Sequence, residues 1–231
     1  MNILAIETAT ASASCALLSG KKMFSQNCDV AKAHSATFLP AVQKILDDSK
    51  TTRADLNAIA VDIGPGAFTG LRHGIATAQA FSLAFNLPIL GVSSLKTLAF
   101  SVIKKAENAK ILALLDARMR EIYCAVFNVQ NQKLVEETAP FLCAADHLPD
   151  LDFSKKIIAV GNIADNYPDF LNLLKEKNMA FFSAIPTAEN VARLAESKEA
   201  QVFAANNLVP LYVRNKVADT TAERARKGFR L

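Results

Sequence analysis

Histidine, cysteine and glycine are all scarce in this chain of 231 residues, at three, four and eight copies. Each scarcity excludes a class of chemistry. Two histidines four apart share a helix face and can reach one metal ion. Here His34 stands alone, because the position four later is Phe38, and His73 and His147 lie far off in sequence. Cys15, Cys28, Cys124 and Cys143 form no Cys-x-x-Cys pair and read as reduced core cysteines of a cytoplasmic protein. Ser93-Ser94 follows a predicted strand without a Gly-x-Ser-x-Gly elbow around it, so no activated serine is indicated. No apolar run reaches membrane-spanning length, and the chain opens directly on the strand Asn2 to Ile6 without a basic flank. The expectation is therefore neither a signal peptide nor a membrane span. With 51% apolar residues the chain can bury a substantial core, as one large domain or two small ones.

What is present is concentrated between Leu56 and Asn86, LNAIAVDIGPGAFTGLRHGIATAQAFSLAFN. A strand over Ala58 to Ile63 runs into a turn holding Gly64, Gly66 and Gly70, and the turn opens a helix of small residues. Glycine at these points lets the backbone turn tightly and approach a neighbour. The loop has the outline of a phosphate cradle but not its parts. A P-loop ends in Gly-Lys-Ser/Thr, whereas Gly70 is followed by Leu71-Arg72. A dinucleotide fingerprint has its third glycine three residues after its second, and here the gap is four. In the helix, Gly70, Gly74 and Ala78 recur at spacings of four and make one smooth face, with Ala76 and Ala80 on a neighbouring one. Packing on the chain's own sheet is the ordinary use of such a face. Two sets of small residues predict that one serves the sheet and the other a partner.

Apolar periodicity orders the rest. The first half reads as strands at Asn2 to Thr8, Ala13 to Leu18 and Lys22 to Cys28, then a helix at His34 to Ser49. The strand before Gly64, the helix from Gly70, a strand at Pro88 to Val92 and a helix capped by Ser93 or Ser94 follow. The second half repeats that order. Strands are predicted at Ile111 to Leu115, Glu121 to Val129 and Lys133 to Phe141, with a short helix near Ala144 to Leu148. A strand at Lys156 to Val160, a helix at Ala164 to Lys177, a strand at Ala180 to Ile185 and a helix capped by Thr187 complete it. The polar stretch Lys104 to Asn108 divides the two, so the expected units are 1–104, 105–205 and a tail at 206–231. The tail is basic. From Pro210 onward six Lys/Arg face two acidic residues, a surplus equal to the whole chain's net charge of +4. Such an end is more often a solvated terminus than a nucleic-acid contact, though it suits phosphates.

The order β-β-β-α-β-α-β-α, twice over, resembles the α/β duplicated actin-like ATPase (ribonuclease H-like) fold. In that fold an acidic residue on the first strand of each half handles metal and phosphate, and Glu7 and Asp116 stand at the corresponding places. A nucleotide cleft inherited from it would involve Glu7, Gly64, Gly66 and Asp116. A small ATP-binding kinase or ATPase is thus the alternative function. The adenosine pocket of the fold uses a glycine pair late in the second half, and only Gly161 is available there.

Six segments narrow the resemblance: LAIETAT (Leu4 to Thr10), HSATFLP (His34 to Pro40), GPGAFTGLRHGIATA (Gly64 to Ala78), GVSSL (Gly91 to Leu95), DARMREIY (Asp116 to Tyr123) and PLYVR (Pro210 to Arg214). Together they resemble the TsaB (YeaZ) family of tRNA threonylcarbamoyladenosine biosynthesis subunits. The match spans the whole chain and is most specific in the Gly64 to Ala78 block. The chain departs from the family pattern with Glu7 for a frequent Asp and Ala36 for a frequent Glu.

The resemblance implies a non-catalytic subunit that scaffolds a TsaD-type transferase, with a TsaE-type ATPase binding across the pair and tRNA reached through the complex. It implies no cofactor and no metal on this chain, ATP and metal belonging to the partner proteins. It also implies a partner face on the first two helices. The candidate residues there are His34, Leu39, Gly70, Leu71, Arg72, Gly74, Ile75, Ala76, Ala78 and Gln79, and the same face suits a homodimer when the partner is missing. Arg214, Arg224, Arg226 and Lys227 are candidate tRNA contacts. The older idea of a glycoprotease activity finds neither a metal pair nor a nucleophile.

Overall fold

The computed structural model describes residues 1–28, 34–152 and 154–214, and the side chains of residues 34–36 are not part of that description. Two mixed sheets form an α/β structure. The first holds β1 (Asn2–Glu7), β2 (Ala13–Ser19), β3 (Lys22–Cys28), β4 (Ala58–Gly64), β5 (Ile89–Ser93) and a short β11 (Gln201–Phe203), in the order β11-β5-β4-β1-β2-β3. The second holds β6 (Lys110–Asp116), β7 (Glu121–Gln130), β8 (Lys133–Ala144), β9 (Ile157–Gly161) and β10 (Ala180–Ser183), in the order β10-β9-β6-β7-β8. In each sheet an antiparallel three-strand meander is extended by parallel strands: β1 pairs with β4, and β6 with β9. This repetition is the duplicated ribonuclease H-like fold.

Five helices cover the sheets: α1 (His34–Ser49), α2 (Phe68–Phe85), α3 (Ser94–Ser101), α4 (Pro168–Glu176) and α5 (Ala188–Glu196). Side chains alternate along a strand, so β1 serves two cores at once. Leu4 and Ile6 pack with Val42, Ile45, Ile75 and Ala78 of α1 and α2 on the outer face. Ile3 and Ala5 pack with Val191, Ala192 and Leu194 of α5 on the inner face. On the second sheet Leu95, Leu98 and Ala99 of α3 pack against Ile111, Ala113 and Phe127, while Phe170 and Leu174 of α4 cover the opposite face.

The two inner helices are therefore exchanged. α3 follows the first sheet in sequence and packs on the second, whereas α5 follows the second and packs on the first. The strand β11 then returns to pair antiparallel with β5. The unit expected at 105–205 is corrected accordingly, because its last helix and strand build onto the first sheet. Two local expectations also change. No helix forms at Ala144 to Leu148, because β8 keeps pairing with β7 as far as Ala144, opposite Glu121. The helix expected from Ala164 begins only at Pro168, since a residue before proline is disfavoured in helical geometry. Ser93 occupies the N-cap position of α3 without a side-chain cap hydrogen bond.

The glycines of the second helix explain its position. A Cβ on Gly70 would lie 2.0 Å from the Thr8 carbonyl oxygen, and one on Gly74 would lie 2.3 Å from Thr8 Oγ1. Gly66 is equally tight, 2.3 Å from the Ala9 carbonyl oxygen. The contact is hydrogen-bonded as well as close: Thr8 Oγ1 donates to the Gly70 carbonyl at 2.8 Å, and the Ala67 N–H donates to the Ala9 carbonyl at 2.7 Å. The smooth face thus seats α2 on the end of β1 in its own molecule.

Alanine in place of glycine inside a helix ordinarily stabilises it by about 0.5–1 kcal/mol. Gly70→Ala is expected to do the reverse and cost about 1–3 kcal/mol, because backbone atoms must move to admit the methyl group. Urea unfolding measures it, and a stabilised variant would contradict the contact.

Candidate functional site

The first strand of each meander ends in a carboxylate, Glu7 on β1 and Asp116 on β6. Asp116 ends β6. Its Oδ1 accepts from Tyr167 Oη at 2.7 Å and from the Arg118 N–H at 2.7 Å; its Oδ2 accepts from Asn166 Nδ2 at 2.9 Å and faces the Arg118 guanidinium at 3.3 Å. Burial and the bond to Asp116 push the Tyr167 hydroxyl up to about 12. Asp116 thereby anchors an unusual turn. Arg118, Met119 and Arg120 are consecutive non-glycine residues with φ of 60°, 56° and 60°. Left-handed geometry is costly for such residues, so the turn needs the surrounding bonds that hold it. Arg214 supplies more of them, donating to the Ala117 carbonyl at 3.0 Å and pairing with Glu121.

Glu7 ends β1 and is fully buried, with its Oε1 accepting the Ala9 N–H at 2.7 Å. Beside it on β4 lies Asp62, 1% exposed, which the sequence reading passed over. Asp62 Oδ1 accepts from the Gly64 N–H at 2.8 Å and from Ser94 Oγ at 2.5 Å. Among the described residues, Glu7 Oε2 and Asp62 Oδ2 are buried without a hydrogen-bond partner. Burial, and then the charge of Asp62, raises the Glu7 carboxyl well above its ordinary value. Burial likewise raises Asp62 to about 7, against the opposing bonds from Ser94 and Gly64. A polar residue in the apolar strand Ala58–Gly64 was the signal available for Asp62, since a buried carboxylate needs a partner.

Between the halves lies a cleft of about 300 Å³ lined by Thr10, Gly66, Asp116, Arg118, Asn162 and Asp165, among others. Of the four residues expected to form a nucleotide cleft, Gly66 and Asp116 line it. Glu7 is sealed below, and Gly64, at φ 107° ahead of a cis peptide to Pro65, is buried under Leu71 and Leu211. Of these four, Asp116 is therefore the one carboxylate that borders the cleft, with Asp165 beside it.

The partner-face candidates divide sharply. Leu71, Ile75 and Ala78 are 1%, 5% and 0% exposed and, with buried Gly70 and Gly74, belong to the chain's own core. Their assignment to a partner face is corrected: their side chains, or the lack of one, serve the seat on β1. Gln79 is half-buried and donates to the carbonyls of Ala205 and Leu208. Leu39, at 55% exposure, Arg72 and Ala76 do face outward. With Thr69, Ala80 and Leu83 the last two make a continuous exposed strip along α2. Leu39, Pro40, Gln43, Phe81 and Phe85 border an apolar groove of about 370 Å³ between α1 and α2. Arg72 is held in place, 4.0 Å over the Phe68 ring with its Nε donating to Tyr212 Oη at 3.2 Å. His34 begins α1, and its side chain lies outside the described residues.

Of the candidate tRNA contacts, Arg214 is committed internally as above, and Arg224, Arg226 and Lys227 lie outside the described residues. A metal fits poorly on α1: Phe38, one turn beyond His34, is 1% exposed and packs edge-on against His73 at 6.0 Å. Among the described residues no group of three or more His, Cys, Asp or Glu is placed to hold an ion. No helix among them is long and apolar enough to cross a membrane.

Comparisons with known proteins point one way. The family model for TsaD, tRNA N6-adenosine threonylcarbamoyltransferase, matches residues 27–225. The tRNA threonylcarbamoyladenosine biosynthesis protein TsaB of Escherichia coli is 35% identical over 226 residues, covering 94% of this chain and 96% of that protein. Its Bacillus subtilis counterpart is 30% identical, covering 93% and 94%. Among solved structures, a Pseudomonas aeruginosa protein with similarity to the peptidase YeaZ superposes with a TM-score of 0.80 at 26% identity, over 92% of this chain and 99% of that one.

The buried pair gives a signed pH dependence. Unfolded carboxyls titrate near 4, while burial holds a proton on Asp62 up to about 7 in the folded chain. Between those values the folded state binds more protons than the unfolded, so this site makes stability fall as pH rises, by up to about 1.4 kcal/mol per pH unit. Asp62→Asn should flatten that descent in urea unfolding at pH 5 to 8. An unchanged slope would contradict the assignment.

Proposed function

The chain belongs to the TsaB family and acts in tRNA threonylcarbamoyladenosine biosynthesis, and from that premise we propose that it is the non-catalytic scaffold for a TsaD-type transferase. The transferase brings the metal and the acyl-transfer chemistry; a TsaE-type ATPase brings ATP and joins the assembled pair; tRNA is met through the complex. The chain itself holds neither cofactor nor metal and works in the cytoplasm.

The observation that carries this reading is the strip Thr69, Arg72, Ala76, Ala80, Leu83 on α2, adjoining the groove bordered by Leu39 and Phe85. Small side chains let another helix approach, an apolar groove supplies the buried area, and an arginine held by an aromatic ring is suited to an interfacial carboxylate. A surface of this kind fits a homologous fold as well as a second copy, so the isolated chain pairs with itself through the same face. The internal engagement of Asp116 and the burial of Glu7 weigh against the kinase or ATPase alternative. The terminal basic residues Arg224, Arg226 and Lys227 are the tail's candidates for tRNA phosphates.

Ala76→Arg tests the face without touching the core. We expect at least a tenfold loss of affinity for a TsaD-type protein, about 1.4 kcal/mol, with a melting temperature like that of the unaltered chain. Co-elution at undiminished affinity in size exclusion would contradict the proposal.

A further inference from the structure

The described fold carries two thiols on the second and third strands of each meander, and the proposed function uses none of them. Cys15 of β2 lies opposite Gln26 of β3, and Cys28 sits two residues beyond on the same face. Cys124 of β7 lies opposite Phe141 of β8, and Cys143 sits two residues beyond on the same face. The diagonal is the same in both halves. Such diagonal neighbours ordinarily stand about 7–8 Å apart across a regular ladder. Even so, the Sγ atoms of Cys124 and Cys143 meet at 3.0 Å.

A disulfide needs the sulfurs at about 2.05 Å, so closure asks each to move roughly half an ångström. Among the described strands β8 is an edge, paired with β7. Access is unequal: Cys124 is fully buried, whereas Cys143 is 9% exposed. We propose that Cys124 and Cys143 are an oxidisable dithiol that a peroxide closes to a disulfide and a thiol reductant reopens.

Cys143 is the attacking sulfur. It is the sulfur of the pair that reaches the surface, whereas Cys124 is fully buried with its Sγ donating to the Ile122 carbonyl at 3.6 Å. The Cys143 thiolate attacks one peroxide oxygen; the O–O bond breaks, a sulfenic acid forms, and the other oxygen leaves as water or an alcohol with the proton. Cys124 then attacks the Cys143 sulfur. The S–S bond forms, the S–O bond breaks, and hydroxide leaves with the Cys124 proton as water. Two thiols are oxidised, one peroxide is reduced, and a dithiol reductant reverses the change through a mixed disulfide. The bond pins the edge strand to β7 two residues beyond Ile122, close behind the Arg118–Arg120 turn.

The full chain, folded and treated with hydrogen peroxide, provides the test. After quenching, free thiols are alkylated under denaturing conditions and peptides are mapped by mass spectrometry. We expect a linked peptide joining Cys124 to Cys143, lighter by about 2 mass units than its reduced parts, that separates again on treatment with dithiothreitol. In Cys143→Ser the unaltered Cys124 should stay alkylatable. The proposal is overturned if both thiols remain alkylatable in the unsubstituted chain, if Cys143 accumulates as sulfinic acid beside a free Cys124, or if Cys124 is lost equally in Cys143→Ser.

Discussion

The close seat of α2 on the end of β1 sets everything else. Gly66 and Gly70 let the chain meet the carbonyls of Ala9 and Thr8 backbone to backbone, and Gly74 leaves room for the Thr8 hydroxyl. By alternation along β1 and β4, Glu7 and Asp62 lie on the opposite, inner face, where Asp62 accepts from Ser94 of α3 and both are buried. The glycine seat fixes the rotation of the helix. With the glycine face turned inward, Thr69, Arg72, Ala76, Ala80 and Leu83 are turned out. A single steric fact thus decides which side of α2 faces outward.

The same logic accounts for the acidic residue of the second half. A carboxylate at the end of a first strand can hold a metal only if its lone pairs are free. Asp116 spends its oxygens on Tyr167, Asn166 and Arg118, and its backbone N–H bonds Asn162. These bonds steady three left-handed residues, and Arg214 braces the far side of the turn. At the cleft wall the Asp116 carboxylate is thus engaged within the chain, with Asp165 beside it. On the outer surface of α1 and α2 apolar area is uncovered.

Much of this was legible in the sequence because it rests on local pattern. Alternation along β1 and β4, the four-residue glycine spacing and the Thr187 cap, whose Oγ1 accepts the Asn190 N–H, each act within a few residues. The helix His34–Ser49 has the expected bounds for the same reason. What escaped depends on distant partners. The exchange of α3 and α5 is invisible to periodicity, since either sheet accepts an amphipathic helix. The strand Gln201–Phe203 exists only by pairing with β5. The glycine face was legible as a face, but spacing alone does not say whether it meets a partner or the end of β1. Asp62 needed to be read as a cost: one carboxylate in a wholly buried strand.

Hydroxyl-radical footprinting of the chain, alone and with a TsaD-type protein, tests the central claim most directly, because it reads side-chain exposure residue by residue. Leu39 at 55% and Leu83 at 75% exposure report the α1–α2 face, and Met119 at 75% reports the mouth of the cleft. The account predicts strong protection of Leu39 and Leu83 with Met119 labelled as before. Protection of Met119 with Leu39 and Leu83 unchanged would contradict it.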